Sequence, residues 1–243
     1  MCRMTEERKI ILPAVLVDKE VNMPRETYQR QIRELQDEVL VMGSMVEKAL
    51  ERSMQALKQR DIELAKQVVA DDRLIDKKRF TIEQQALELL ALQAPMASDL
   101  RIMLATLNII TDLERIGDHA EGNAKICLMI GNEPPLKPLI DLPRMNEKVI
   151  DMLHRSLSAL ITHDAETARS IVPEDDEIDN LYDQVFRELL VFMMEDPRTI
   201  TRATRLLWVA HNLERTGDRV TNICERVVFM VTGKMEELDV STY

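Results

Sequence analysis

Residues 28–56 read YQRQIRELQDEVLVMGSMVEKALERSMQA, and apolar or small side chains recur in this stretch at alternating steps of four and three. That spacing places them on one face of an α-helix, as in the seam of a helical bundle. Charged residues such as Arg30 and Glu34 fall off this face. The stretch therefore predicts a long amphipathic helix with one buried face. Its seam positions are Tyr28, Ile32, Leu35, Val39, Met42, Val46, Ala49, Ser53 and Ala56.

The composition favours helices throughout the chain and excludes several functions. The 243 residues carry a formal net charge of -11, and aromatic residues make up only 3% of them. Such a chain lacks phosphate-neutralising charge and stacking platforms, so direct nucleic-acid binding is not expected. With 6 glycines and no alternating apolar–polar run long enough for a strand, the sequence predicts an all-α fold. It contains no apolar run of about 18 residues, so no transmembrane segment is expected.

The cysteines and the N-terminal residues predict a cytoplasmic location. Cys2, Cys127 and Cys224 form no C-x-x-C pair, which is typical of a protein from a reducing compartment without structural zinc. The apolar run Ile10–Val17 is short, has no small-residue cleavage site after it, and does not fit a signal peptide. We therefore interpret residues 1–23 as a flexible N-terminal extension.

The chain consists of two similar halves joined by a proline-rich connector at 131–144 (GNEPPLKPLIDLPR). Residues 51–69 match 154–172, and DLERIGDHA at 112–120 matches NLERTGDRV at 212–220. Two tandem three-helix bundles are the simplest way for both copies to bury their apolar seams. The predicted boundaries are 1–23 for the extension, 24–131 for the first bundle, 132–143 for the linker, 144–233 for the second bundle and 234–243 for a C-terminal tail.

Four pairs of acidic residues spaced i, i+4 occur at matching places in the two halves. On a helix each pair lies on one face, where like charges cost about 0.2–0.5 kcal/mol. Clusters of carboxylate oxygens suit hard or borderline cations such as magnesium, manganese or iron, which makes these pairs candidate metal ligands. Solvated acidic faces, and helix starts at Asp72 and Asp175, are the alternative interpretations. The candidate residues are Asp72, Asp76, Glu114, Asp118, Asp175, Asp179, Glu214 and Asp218.

Two glycines lie inside the LERxGD motifs and indicate close helix packing. Gly117 and Gly217 are expected to lie in mid-helix, where glycine is costly unless a neighbouring helix approaches closely. If that neighbour carries the other acidic pair, four carboxylates converge in each half. The spacing places the acids of the LERxGD helices on the flank of each bundle, outside its core. His119 and His211 flank the motifs, and we expect both to face solvent.

The motif-bearing segments resemble the PhoU family of phosphate-signalling proteins. The resemblance rests on LERIGDHAEGNAK at 113–125, LERTGDRVTNICE at 213–225 and LLALQAPMASDLR at 89–101. It implies two tandem three-helix bundles with metal clusters, such as iron clusters, held by the eight acidic residues; manganese, magnesium and zinc are alternatives. It also implies a non-enzymatic adaptor between the ATPase subunit of the phosphate ABC transporter and its sensor histidine kinase. Such an adaptor would restrain the phosphate-starvation response from the inner face of the membrane.

Two departures from the family pattern and two alternative functions accompany this interpretation. Asn222 occupies the position four residues after the motif Asp in the second half, whereas Gly122 stands there in the first half, and the family pattern begins near Met23. A ferritin-like carboxylate protein would need Glu-x-x-His motifs, and the nearest match is the Asp at 151 with the His at 154. A helical scaffold without metal is the other alternative. No phosphate-binding loop or nucleophile elbow is present, and a homodimer is expected.

Overall fold

A computed structural model describes residues 25–92 and 95–238 of the chain. The described part contains α-helices and short 3-10 turns but no strand, which confirms the predicted all-α class. The predicted extension 1–23 and the last five residues of the predicted tail lie outside these ranges. The helices are α1 (Arg25–Gln59), α2 (Ile62–Leu92), α3 (Ala97–Ile130), α4 (Asp141–Thr162), α5 (Ala165–Ile171), α6 (Asp175–Glu195) and α7 (Ile200–Thr232).

The two predicted three-helix bundles are both present. Helices α1, α2 and α3 pack together in the first half, and α4, α6 and α7 do so in the second, with the short α5 against α4 and α7. The predicted seam of α1 is buried at every position except Ala49, which is half-buried. Burial of this seam, rather than helix propensity alone, stabilises a helix of this length.

The duplication extends to the ends of the helices. Arg60 and His163, which follow α1 and α4, both have left-handed φ angles, of 57° and 55°. The next residue in each copy is an aspartate whose Oδ1 accepts a hydrogen bond from a backbone N–H of the following helix. Asp61 accepts from Leu64 N at 2.9 Å, and Asp164 accepts from Thr167 N at 3.0 Å. The same turn and cap therefore begin the second helical segment of both halves.

One proline makes the second half differ from the first. Pro173 occupies the position that Ala70 has in the first copy, and the chain around Pro173 forms a 3-10 turn between α5 and α6. With Ala70 in that position, α2 continues without interruption. Asp175 is therefore the first residue of α6, as the helix-start interpretation predicts, whereas Asp72 lies in the middle of α2, so that interpretation is wrong for Asp72.

The two halves pack against each other through α3 with α7 and α1 with α4. Polar contacts cross the α3–α7 interface, including the hydrogen bond from Asn212 Nδ2 to Asn123 Oδ1 at 2.9 Å. Helices α1 and α4 meet at Gly43, where a Cβ atom would overlap Leu157 Cδ1. Within the ranges that the structure describes, no helix is both long and apolar enough to cross a membrane.

Replacing a core leucine of α3 should destabilise the protein far more than replacing an exposed leucine of the same helix. Leu113 is fully buried, so Leu113→Ala leaves a cavity and should lower the free energy of unfolding by about 2–5 kcal/mol. Leu104, which is 40% exposed, provides the matched control, and Leu104→Ala should cost about 1 kcal/mol at most. Urea unfolding followed by circular dichroism measures both. Equal losses would contradict the placement of α3 in the core.

Candidate metal-binding sites

The first candidate site lies where α2 packs against α3. Asp72 and Asp76 of α2 and Glu114 and Asp118 of α3 are all half-buried. A Cβ atom added to Gly117 would lie 3.2 Å from Ile75 Cδ1 and 3.5 Å from Asp72 Oδ1, both on α2. The predicted reason for this glycine, the close approach of the helix carrying the other acidic pair, is therefore confirmed.

The carboxylates of this first site raise one another's pKa values. The pKa of Asp72 is raised to about 6, first because burial penalises its charged form and then by the charges of Glu121, Asp76 and Asp118. The pKa of Glu114 is raised by burial and by the negative charge of Asp118. Acidic groups from both helices thus act on each other, as the convergence of the two pairs requires.

Glu121 is a member of the first site that the candidate set left out. It is the strongest charged neighbour of Asp72, and it forms an ion pair with Lys125 at 2.5 Å. A cavity of about 180 Å³ is lined in part by Asp72, Gly117 and Glu121. Glu121 follows Asp118 by three residues, and this helical spacing indicates that both side chains lie on the same face of α3. Its counterpart in the second half is Thr221, so a comparison of the two halves does not identify Glu121 as a candidate.

The second candidate site lies between α6 and α7 and is more buried than the first. A Cβ atom on Gly217 would overlap Asp175 Oδ1 and would lie 3.1 Å from Ile178 Cδ1. Asp175 is 5% exposed and Glu214 is 9% exposed. The prediction that the acids of the LERxGD helices line a flank outside the core is therefore wrong for Glu214, because the close approach at Gly217 encloses it. Asp179 is exposed.

The carboxyl of Glu214 in the second site has a strongly perturbed pKa. Its pKa is raised to about 7, first by burial and then by the charges of Asp218 and Asp179, while Arg215 opposes the shift. The carboxylate oxygen Oε2 of Glu214 lies 3.4 Å from His211 Nδ1. The negative charge of ionised Glu214 is thus poorly neutralised by its neighbours in the folded protein.

Arginines next to the motifs neutralise part of the acidic charge. Arg115 pairs with Asp118 at 3.0 Å, and Arg215 pairs with Asp218 at 2.8 Å, as the i, i+3 spacing predicts. Arg115 also lies 3.5 Å from Glu114 Oε2, so Glu114 is less isolated than its sequence position indicates. Even so, the pKa of Glu114 stays raised, because burial and Asp118 outweigh the arginine.

His119 belongs to the interface between the halves and not to the solvent-exposed surface. It is half-buried, its Nδ1 lies 3.2 Å from Thr216 Oγ1, and its pKa is lowered to about 4 by burial and by the charge of Arg219. The expectation that it faces solvent is wrong, because α7 packs over it. For His211 the same expectation is confirmed, since its side chain is 54% exposed.

The structure brings the predicted pairs together in each half but does not assemble a finished coordination shell. Within residues 25–92 and 95–238, no three His, Cys, Asp or Glu side chains lie close enough together to hold a metal ion as they stand. The donor set is all oxygen, which is the chemistry that hard cations prefer. The pKa values of Asp72, Glu114 and Glu214 are raised first by burial and then by neighbouring carboxylates, and either a proton or a bound cation would relieve both effects.

Comparison with known proteins identifies similarity in both halves. The sequence profile of the family described as "PhoU domain" matches residues 39–127 and 142–227. The phosphate-specific transport system accessory protein PhoU homolog of Clostridium acetobutylicum is 37% identical over 89% of this chain and 100% of its own length. The corresponding protein of Caulobacter vibrioides is 41% identical over 86% of this chain and 91% of its own length. These names describe accessory proteins and no enzyme.

A solved structure agrees with these sequence matches. The crystal structure of the phosphate transport system regulatory protein PhoU from Streptococcus pneumoniae superposes with a TM-score of 0.81. The alignment has 32% sequence identity and covers 86% of this chain and 99% of that protein.

The stability of the protein should depend on pH through Glu214. Its pKa rises from 4.5 to about 7 on folding, so the stability that the protonated carboxyl contributes is complete below pH 4.5 and is lost as the pH rises through about 7. Glu214→Gln replaces the carboxyl by a group that carries no charge at any pH, so the variant does not lose this stability. Between pH 5 and 8, its free energy of unfolding should rise above that of the parent protein by up to about 3 kcal/mol. Urea unfolding with a chelator present measures the difference at each pH. The exposed Glu195→Gln control should show no such gain, and a pH-independent difference for Glu214→Gln would contradict the assignment.

Proposed function

Because the chain belongs to the PhoU family, we propose that it regulates phosphate uptake and phosphate-starvation signalling as a non-enzymatic adaptor. Its partners would be the ATPase subunit of the phosphate ABC transporter and the sensor histidine kinase of the phosphate two-component system. It would restrain the starvation response when phosphate is plentiful. It would act in the cytoplasm at the inner face of the membrane, held there by those partners, and as a homodimer. The single observation that carries this proposal is the match of both halves to accessory proteins of phosphate transport.

We also propose that the two acidic sites hold metal ions when the protein is loaded. Asp72, Asp76, Glu114 and Asp118 would hold the ions in the first half, with Glu121 beside them. The second set would be Asp175, Asp179, Glu214 and Asp218. The support for this fit is the all-oxygen donor set, the repulsion among partly buried carboxylates and the glycine at each helix contact. A bound cation, with iron first and manganese, magnesium or zinc as alternatives, would supply positive charge that neutralises these acids. The side chains themselves would have to rotate inward, since they do not form a coordination shell as they stand.

Neutralising one motif in each half should remove bound metal without unfolding the protein. Protein purified without chelator would be analysed by mass spectrometry for metal bound per chain. Glu114→Gln with Asp118→Asn, and separately Glu214→Gln with Asp218→Asn, should each lower the amount, because both donors of one α3 or α7 pair lose their charge. The melting temperature of each protein would be measured with and without EDTA. EDTA should lower it only in those proteins that still bind metal.

The control for the metal experiment removes the same charge elsewhere. Glu26 and Glu195 are exposed and distant from both motifs in sequence, so Glu26→Gln with Glu195→Gln should leave the metal content unchanged. Unchanged metal content in both motif variants would contradict the assignment of these acidic residues as metal ligands. Absence of any metal effect on the melting temperature would favour the scaffold without metal.

The adaptor proposal predicts direct binding to two partners. The full chain, immobilised, should retain the purified transporter ATPase subunit and the cytoplasmic part of the sensor kinase. In cells that lack the gene, a starvation-controlled reporter should be expressed even in high phosphate and should be repressed again by the restored gene. Retention of neither partner would contradict the adaptor role, and light scattering of the purified chain tests the proposed homodimer.

A further inference from the structure

An opening lies on each side of the contact between α1 and α4. The two helices meet at Gly43 and Leu157, and the residues that line the two openings come before and after this contact along α1. Toward the C-terminal end of α1, the space between them is a groove of about 560 Å³, which we call the acidic groove. Its two rims are formed by residues 47–58 of α1 and residues 143–154 at the beginning of α4. The LERxGD motifs lie on other helices, α3 and α7, so the groove is separate from the candidate metal sites.

The rims of the acidic groove carry a concentration of negative charge. Glu47 and Glu51 line one rim, spaced i, i+4 along α1, and Glu147 and Asp151 line the other with the same spacing along α4. Among the described residues that line the groove there is one lysine, Lys58, and no arginine. Four carboxylates beside one ammonium group favour a cationic occupant.

The opposite opening shows that this charge is not a general property of the crossing. That opening, of about 620 Å³, is lined by Arg30 and Arg33 as well as by acids such as Glu34 and Asp37. Cations and carboxylates are interspersed there, so this opening does not favour a cationic occupant as the acidic groove does. The acidic groove is therefore the side of the α1–α4 pair that selects for positive charge.

Two of the four rim carboxylates already have partners within the chain, and the other two are available to a bound cation. Asp151 pairs with Arg155 at 2.9 Å, and Glu47 lies 3.3 Å from His154 Nδ1. Glu51 and Glu147 are exposed, and neither forms an ion pair with another residue of the part of the chain that the structure describes. These two carboxylates face solvent from opposite rims and can pair with a bound cation at little cost in desolvation.

The floor of the acidic groove is apolar except for one buried amide. Met54 is 5% exposed, and Pro143 and Ile150 are half-buried, so the floor offers contacts for apolar side chains. Asn146 is 4% exposed, yet its Oδ1 accepts no hydrogen bond from any of the described residues. A buried acceptor without a donor costs stability, and this cost would be relieved if the Asn146 side chain turned toward the groove and met a donor there.

We propose that the acidic groove binds a basic amphipathic helix of a partner protein. Apolar side chains of that helix would contact Met54 and Ile150, and lysines or arginines on its two flanks would pair with the acids of the two rims. A donor from the same helix would pair with Asn146 Oδ1 after the Asn146 side chain turns toward the groove. A bare metal ion does not fit the groove, since no three potential ligands among residues 25–92 and 95–238 converge on one point.

This inference adds a recognition chemistry to the proposed adaptor function without depending on the phosphate role. The apolar floor distinguishes the expected partner from a simple polyamine, which has charge but no apolar face. Failure of helix binding would leave the transporter and kinase proposals intact, because those partners could dock on other surfaces. If the adaptor proposal failed, the binding of a basic helix in the acidic groove could still be tested, because that test uses neither the transporter nor the kinase.

The test uses the full chain and a labelled synthetic peptide. The peptide is a lysine–leucine helix of about 14 residues with leucines along one face and lysines on both flanks, and fluorescence anisotropy measures its binding. The groove variant combines Glu47→Gln, Glu51→Gln, Glu147→Gln and Asp151→Asn, and it should weaken binding by about tenfold or more. Affinity for the parent protein should fall as salt is raised, because the rim pairs are exposed.

The control variant removes the same amount of charge from outside the groove. Glu26→Gln, Glu63→Gln, Asp183→Asn and Glu195→Gln replace four exposed acids that do not line it, and this variant should bind the peptide within about twofold of the parent protein. Equal weakening in both variants would overturn the proposal, because it would show general attraction to an acidic protein. Dimer dissociation in the groove variant alone would also overturn it by assigning the groove to a second copy of this chain.

Two further measurements test the floor. Asn146→Leu removes the unpaired acceptor, so it should keep or raise the melting temperature while weakening peptide binding. Unchanged affinity in this variant would contradict the role of Asn146. A peptide with serine in place of leucine should bind more weakly, and equal binding of that peptide or full displacement by spermine would overturn the inference of an amphipathic helix.

Discussion

Close approach of helices at two glycines determines where the acidic motifs of this protein lie. At Gly117, α3 comes near enough to α2 that even a methyl group would press on Ile75, and at Gly217 a methyl group would overlap the carboxylate of Asp175. Glycine in mid-helix costs about 1 kcal/mol in helix propensity. The glycines nevertheless occur where two helices that carry carboxylates pack side by side. In each copy, the acidic residues of the two helices are consequently held near one another.

The two sites share this arrangement but differ in burial, and the difference follows from packing. In the first half, α2 is continuous and its carboxylates are half-buried beside a small cavity. In the second half, Pro173 interrupts the helix, α6 begins at Asp175, and that residue is almost enclosed. The pKa of Glu214 is raised to about 7 and that of Asp72 in the first half to about 6, in both cases first by burial. A proton or a cation would therefore relieve the penalty of a buried negative charge at both sites.

The acidic residues discussed above lie in two kinds of environment. One set lies in the α2–α3 and α6–α7 contacts, where the carboxylates are partly or almost fully buried and repel one another. The other set lies on the rims of the α1–α4 groove, with Glu51 and Glu147 exposed over an apolar floor. The proposed metal ions belong to the first environment and the proposed partner helix to the second.

Several features could be predicted from the sequence because they depend on local patterns. The seam from Tyr28 to Ala56 follows from helical periodicity, the duplication from matching segments, and the close packing at Gly117 from the cost of a glycine in mid-helix; the structure confirms them. The family resemblance carried by the LERxGD segments is confirmed by the comparisons as well.

The rest was decided by the tertiary structure, because burial depends on what packs over a residue. His119 and Thr216 are 97 positions apart and meet only because α3 lies along α7, so no local pattern predicts that this histidine is half-buried with a lowered pKa. Glu121 joins the first site because α2 brings Asp72 beside it. Helical spacing determined which face of each helix carries acid, and the packing of helices distant in sequence decided which of those acids are buried together.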